Sequence, residues 1–331
     1  MIVTYSSSTS DRRVLVTGAT GMVGGEIALE LHRAGYDVTA LARPASDRSH
    51  LLSGEITFAE GDVTDQNAVR QAMEGQDLVC HAAALVPGSG ADEDGFNRVN
   101  VSGTRIVCEA AIKAGVSRLL HVSTVHVFGI HPGQRVDETA TPSEPPHPGY
   151  DASKARAESA VLEFAAKSLD AVVVNPTVVF GPRSRHSGRL INMFLRGRLP
   201  IIPLPNRVLS LVYSRDVARG ARMALETGEQ GERYILAGPS VSVREFIDTL
   251  AQVSGRRAPR ISLPGWAAAA GVAALWGVSP VTRWKPPVTV AGVRRGGTVY
   301  EGERATRELG LRYTPLEDAL RTTAEWLQRP E

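Results

Sequence analysis

The chain has 331 residues, enough for one large or two medium domains with a sizeable core. Its formal charge of +2, with basic residues scattered rather than run together, creates no field that would select nucleic acid or an anionic membrane. Two cysteines, Cys80 and Cys108, each in apolar surroundings, make neither a disulfide framework nor a metal site, so a cytoplasmic location is expected.

Residues 1–12 hold a serine and threonine stretch without an apolar centre, which reads as a loose tail and not as a secretion signal. Residues 14–17 are apolar and β-branched, the pattern of a strand buried on both faces, and run directly into Gly18-x-x-Gly21-x-x-Gly24. Residues 26–34 follow as a helix with Ile27, Leu31 and Ala34 on one face. This order of strand, glycine turn and helix suits a dinucleotide. Its pyrophosphate is held by free backbone N–H groups at a helix N-terminus, where side chains would keep it away. Gly18 makes the turn, Gly21 admits the phosphates and Gly24 allows close packing of helix on strand.

The second strand, 37–42, ends Ala40-Leu41-Ala42-Arg43. A carboxylate at the end of this strand accepts hydrogen bonds from the ribose hydroxyls of NAD; here Ala42 stands in its place and the phosphate-matching guanidinium of Arg43 follows. NADP(H) is the expected cofactor, with NAD(H) the lesser alternative. A strand at 56–59, a helix at 66–73, a strand at 78–84, a helix at about 99–114, a strand at 118–123, a helix at about 149–167 and a strand at 171–174 complete the alternation. Such alternation means an α/β fold, a doubly wound parallel sheet covered on both faces.

Past residue 180 the rhythm breaks. Residues 181–205 are rich in Arg, Gly and Pro, and 216–226, 243–253 and 316–327 read as helices around a strand at 233–236. The expected organisation is a dinucleotide-binding domain over 13–180 and a smaller, mainly substrate-binding domain over 181–331, from which about 211–237 returns to the sheet. The apolar segment 266–278 is shorter than the roughly 20 residues that span a bilayer, and reads as a buried or lid helix. No membrane association is expected.

Tyr150-Asp-Ala-Ser-Lys154 carries the chemistry. Residues four apart share a helix face, so the Lys154 ammonium can lie beside the Tyr150 phenol. A phenol titrates near 10 and a fixed cation lowers that value, which makes the pair a tunable general acid or base. Thr124 closes the strand 118–123, and ligands of open α/β sheets bind outside the carboxyl ends of the strands. His121, His126 and His147 flank these motifs at spacings that match no metal pair, and no metal is expected.

Taken in order, Thr17-Gly-x-x-Gly-x-x-Gly24, Gly61-Asp62-Val63, His81-Ala-Ala-Ala84, Asn100-Val-Ser-Gly-Thr104, Val122-Ser-Thr-Val-His-Val-Phe-Gly129, Tyr150-x-x-x-Lys154 and Asn175-Pro-Thr-Val-Val-Phe-Gly-Pro182 resemble the extended short-chain dehydrogenases/reductases over residues 13–328. The resemblance implies that Gly18, Thr20, Gly21, Met22 and Val23 cradle the pyrophosphate and that Asp62 and Val63 contact adenine. It further implies that Ala82, Ala83 and Ala84 line the cofactor, that Lys154 also holds the nicotinamide ribose, and that Pro176, Val178 and Val179 flank the nicotinamide. The implied catalytic set is Thr124, Tyr150 and Lys154.

Three functions share this frame: a reductase or dehydrogenase with net hydride transfer, a nucleotide-sugar epimerase or dehydratase that returns its cofactor, and a non-catalytic cofactor sensor. Sugar-nucleotide members commonly carry a basic residue shortly before the segment equivalent to 211–217, where this chain has Leu209, with Arg207 nearby. The segment 266–276 is similar to the apolar C-terminal helices of the hydroxysteroid-dehydrogenase and dihydroflavonol-reductase branch. Both features favour a small apolar or polycyclic ketone or alcohol as substrate. A homodimer is left open.

Overall fold

The computed structural model describes residues 12–52, 54–131, 133–142, 144–184, 188–263 and 297–329. Residues 1–11 of the expected tail and the apolar helix expected at 266–278 lie outside the described residues.

The first half runs β1 (Arg13–Thr17), α1 (Met22–Arg33), β2 (Asp37–Ala42), β3 (Thr57–Glu60), α2 (Gln66–Met73), β4 (Leu78–His81), α3 (Glu93–Phe96), α4 (Gly103–Ala114), β5 (Arg118–Val122), the short β6 (Arg135–Val136), α5 (Tyr150–Ala165) and β7 (Ala171–Pro176). The rest runs β8 (Val178–Phe180), α6 (Gly188–Leu195), β9 (Ile201–Pro203), β10 (Val208–Tyr213), α7 (Ser214–Thr227), β11 (Arg233–Leu236), β12 (Ser240–Ser242), α8 (Val243–Ser254), β13 (Ile261–Leu263), β14 (Val299–Tyr300), α9 (Glu303–Leu309) and α10 (Leu316–Leu327).

Seven strands form one parallel sheet in the order β11-β7-β5-β4-β1-β2-β3. Successive residues alternate between its two faces. Val14, Val16, Cys80, Leu120 and Val174 join Ile27 and Leu31 of α1 and Val217 and Ala221 of α7 on one side. Leu15, Val79, Leu119 and Val173 join Val69, Val107 and Val161 of α2, α4 and α5 on the other. Double burial is why these strands are nearly all apolar. It also explains the cysteines: Cys80 and Cys108 are free thiols buried on opposite faces, and burial pushes the Cys108 thiol up to about 12. Strand order reverses at β1, which opens a crevice above its carboxyl end.

Several boundaries differ from the sequence reading. Helix α1 begins at Met22, four residues early, because Gly24 and Gly25 are part of its first turns rather than of the loop. The strand expected over 78–84 leaves the sheet after His81: Ala82 N donates to Thr17 O, and Ala83 N donates to the Thr17 hydroxyl, so the chain bends over the end of β1. The helix expected over 99–114 is interrupted by a π-helical turn at Asn97–Ser102. Within that turn, the buried Asn100 side chain accepts from Leu85 N and donates to Leu85 O and the Ser153 hydroxyl, tying three segments together.

The strands β8, β10 and β12 make a second sheet. Phe180, Leu211 and Val241 from these strands pack with Ile191 and Phe194 of α6, Phe246 and Leu250 of α8 and Leu320 of α10 in a separate core. Between these elements the chain returns to the main sheet: α7 packs on the α1 face and β11 pairs with β7. No helix among the described residues is long and apolar enough to cross a membrane.

Candidate active site

The glycine loop is shaped so that its backbone is bare. Gly18 has φ +72°, and a Cβ there would lie 2.6–2.7 Å from the main chain of Ala82 and Ala83. A Cβ on Gly24 would lie 2.3 Å from Gly18 O, so Gly24 closes onto the loop itself rather than onto the strand. Gly21, by contrast, is exposed, and a Cβ there would meet Gly18 O at 3.2 Å and nothing else within reach. No side chain caps the N-terminus of α1 and no acidic residue lies in its first turn. Its free N–H groups and positive dipole end therefore face the crevice beside Thr20, Met22 and Val23, as an anionic pyrophosphate requires.

On the adenosine side, Ala42 is buried and Arg43 is exposed just beyond it. Arg48 lies against this corner. Its Nη2 donates to Arg43 O and pairs with Glu60 at 3.1 Å, and its guanidinium stacks on Phe58. Asp62 turns its Oδ1 to Thr64, accepting from both the main-chain N and the hydroxyl. The Val63 side chain packs into the core against Gly103, so any adenine contact at that position falls to its main chain.

A fixed proton order runs beneath the loop. Thr104 gives its hydroxyl proton to Asn100 O, so its oxygen accepts from His81 Nε2 at 2.9 Å. His81 Nδ1 is then an acceptor, for the Thr17 hydroxyl at 2.7 Å. Burial, reinforced by the Lys154 charge, holds His81 down to about 3, so it is neutral. His121 is buried beside it and is also held well below its ordinary value by burial and by Lys154.

Thr124 ends the extended run after β5 and caps a single 3-10 turn, Val125–Phe128. Its main-chain oxygen accepts from Asn175 Nδ2, which also donates to Glu158 at 2.7 Å. Tyr150 opens α5 directly after Gly149, whose φ of +87° lets the chain turn sharply into the helix. Phe96 and His126 stand edge-on to its ring. Lys154, one turn on, is buried and donates to Val122 O at 2.8 Å, with His121 Nε2 at 3.5 Å. Burial draws its ammonium down to about 8, opposed by the Glu158 carboxyl. Burial in turn raises Glu158, against the pull of Asn175 and Arg233. Pro176 is buried at the end of β7, and Val178 and Val179 begin β8, with Val178 half exposed.

Bare helix N-terminus, reversed strand order and a Tyr–Lys turn at the carboxyl end of β5 describe a dinucleotide enzyme. The sequence profile of the NAD-dependent epimerase/dehydratase family matches residues 14–237. The chain belongs to this family, the extended short-chain dehydrogenases/reductases. A Synechocystis protein bearing the provisional name dihydroflavonol 4-reductase is 33% identical, covering 95% of this chain and 94% of its own. A Stigmatella aurantiaca ketoreductase, named for 4-hydroxy-2-methyl-3-oxo-4-farnesyl-3,4-dihydroquinoline-1-oxide, is 31% identical over 90% of this chain and 91% of its own. The crystal structure of gox2253 superposes with a TM-score of 0.83 at 30% identity, over 96% of this chain and 98% of that one. As a member of the extended short-chain dehydrogenases/reductases, the chain is an NAD(P)-dependent enzyme.

Three features of this family member were not read from its sequence. His126 Nδ1 lies 2.8 Å from Asp151 Oδ1, beside Tyr150. Arg48 joins Arg43 at the end of β2. Arg183, at φ +63°, reaches the buried Glu26 of α1 at 3.3 Å and ties the segment after β8 to that helix. Only Arg48 left a local signal, a second arginine five residues after Arg43. The other two are pairings between segments far apart in the chain.

Proposed function

We propose that the chain is an NADP(H)-dependent oxidoreductase that interconverts a ketone and a secondary alcohol on an apolar or polycyclic small molecule. The observation that carries this reading is the buried Lys154 cation one helical turn from Tyr150, at the carboxyl end of β5. When bound, the nicotinamide supplies or takes the hydride at the carbonyl carbon. In the reducing direction Tyr150 gives its phenolic proton to the oxygen as the C–O double bond becomes a C–O single bond, leaving a phenolate beside the Lys154 cation. Thr124 holds the substrate oxygen through its hydroxyl, and its own position is secured by Asn175 at its carbonyl. Gly18, Thr20, Gly21, Met22 and Val23 hold the pyrophosphate. Asp62, Val63, Ala82, Ala83 and Ala84 line the cofactor, and Pro176, Val178 and Val179 flank the nicotinamide.

Support for NADP(H) comes from the missing carboxylate at Ala42 and from two guanidiniums, Arg43 and Arg48, at the corner where a 2′-phosphate would sit. An apolar substrate is favoured by the half-exposed Val178 and by Phe96 against Tyr150. The ketoreductase relative, whose name describes a farnesylated bicyclic ketone, points the same way. The cytoplasmic reading is supported by two free, fully buried thiols.

The family description itself favours a second reading, a nucleotide-sugar epimerase or dehydratase with transiently reduced cofactor. One assay separates the readings. Reductase activity consumes NADPH when a ketone is added, epimerase activity converts UDP-glucose with no net change in cofactor absorbance, and a cofactor sensor does neither. The expected result is NADPH consumption with ketones; conversion of the sugar nucleotide alone would overturn the proposal.

A further inference from the structure

Beside Tyr150 stands a polar pair that proton transfer to the carbonyl does not use. His126 follows Thr124 by two residues on the turn at Val125–Phe128, and Asp151 follows Tyr150 on α5. The turn and the helix bring them together, with His126 Nδ1 at 2.8 Å from Asp151 Oδ1. The carboxyl group is buried while the imidazole is 26% exposed. The imidazole ring stands edge-on to the Tyr150 ring, at 87° and 6.0 Å between centroids.

This geometry fixes what the imidazole can offer. With Nδ1–H donating to the carboxylate, an imidazole that carries one proton has its lone pair at Nε2, across the ring and directed away from the buried carboxyl. Among the described residues nothing bonds to Nε2. The ring centroids of His126 and Tyr150 lie 6.0 Å apart, so one small molecule can reach both side chains. A lone pair takes an O–H donor.

We propose that His126, oriented by Asp151, is a substrate-positioning residue that accepts a hydrogen bond from a hydroxyl on the carbon next to the reacting carbonyl, so that the preferred substrates are α-hydroxy ketones. The inference rests on the reductase reading and narrows it. A site built around such an acceptor discriminates strongly against an analogue lacking the hydroxyl, because the acceptor is then left dry and unpaired.

The test compares α-hydroxyacetophenone with propiophenone, which differ by a hydroxyl in place of a methyl group, and the readout is the ratio of their kcat/KM values with NADPH. The wild-type chain is expected to favour the hydroxy ketone by about tenfold or more. His126→Phe is expected to bring the ratio close to one, Asp151→Ala to lower it, and His126→Gln, which keeps an acceptor oxygen, to retain part of it. A purely structural strap predicts that both rates fall together with the ratio unchanged, and that outcome overturns the proposal.

A binding measurement keeps the two readings distinguishable and serves where a variant folds poorly. The full chain with NADP⁺ is melted in the presence of each ketone. If the wild-type chain reduces neither ketone and converts UDP-glucose, the reductase reading fails. A larger thermal shift with α-hydroxyacetophenone that is lost in His126→Phe and kept in part in His126→Gln then still supports the role of His126, and equal shifts overturn it.

Discussion

The Lys154 ammonium lies 2.8 Å from the main-chain oxygen of Val122, the residue that ends β5 two places before Thr124. The cation is thereby anchored to the strand that leads to Thr124. Burial lowers it from an ordinary 10.5 to about 8, so it is protonated below that pH and becomes a neutral amine above it. The protonated form is the one that favours the Tyr150 phenolate. For ketone reduction, kcat/KM is expected to be level below about 8 and to fall as pH rises through that value. Lys154→Arg keeps the charge throughout and is expected to remove the break. A break unchanged in that variant would separate Lys154 from the pH dependence.

Tyr150→Phe keeps the aromatic ring between Phe96 and His126 and removes only the hydroxyl. Turnover is expected to fall about 10² or more, as for loss of a general acid, while cofactor affinity changes little. Near-normal turnover would remove Tyr150 from the chemistry.

Arg43→Ala is expected to weaken NADPH about ten- to a hundredfold and leave NADH nearly unchanged, the range for hydrogen bonds to a charged group. Equilibrium titration of cofactor fluorescence checks it. Equal affinity of the unmodified chain for the two cofactors would sink the assignment.

Gly24 and Gly21 separate folding from binding. At Gly24 an added methyl would collide with Gly18 O at 2.3 Å, so Gly24→Ala should destabilise the fold by about 1–3 kcal/mol in addition to impairing the cofactor site. At Gly21 the methyl meets one atom at 3.2 Å and otherwise points into open space, so Gly21→Ala should cost much less stability and act mainly on cofactor affinity. Melting curves and cofactor titrations of both variants give the comparison; equal losses of stability would refute it.

His81 and His121 make the fold sensitive to acid. His81 is held at about 3 in the folded chain against an ordinary 6.5, and His121 is lowered in the same direction. Between those values the unfolded chain binds the extra protons, so stability is intact above about 6.5 and declines as pH falls toward 3. His81 contributes about tenfold per pH unit to the unfolding constant within that window, and His121 acts in the same direction. Urea unfolding at several acid pH values should therefore show a shallower decline in His81→Asn. An identical slope in that variant would exclude His81 as its source.

Much of the fold was legible because its signals are local. The bounds of β2, α2, β11 and α10 agree with the apolar periodicity to the residue, since each buries one clear stripe or run. The start of α1 was hidden because Gly24 and Gly25 look like loop although they are the close-packed first turns of a helix. The break at Asn97–Ser102 was hidden because its cause, the bonds of Asn100 to Leu85 and Ser153, depends on partners that only the fold brings near. The same holds at the site. Thr124, Tyr150 and Lys154 lie within recognisable motifs, whereas His126 meets Asp151 only when a turn packs on a helix.

The pairing of β11 with β7 also has a consequence for how the chain is made. Every residue of β7 is buried, and one of its two neighbours, β11, is encoded well after the elements that carry Thr124, Tyr150 and Lys154. During synthesis β7 is therefore a bare apolar edge, open to pairing with another nascent chain, until Leu236 has left the ribosome. A truncation after β8 is therefore expected to leave the Tyr150–Lys154 segment attached to an aggregation-prone edge.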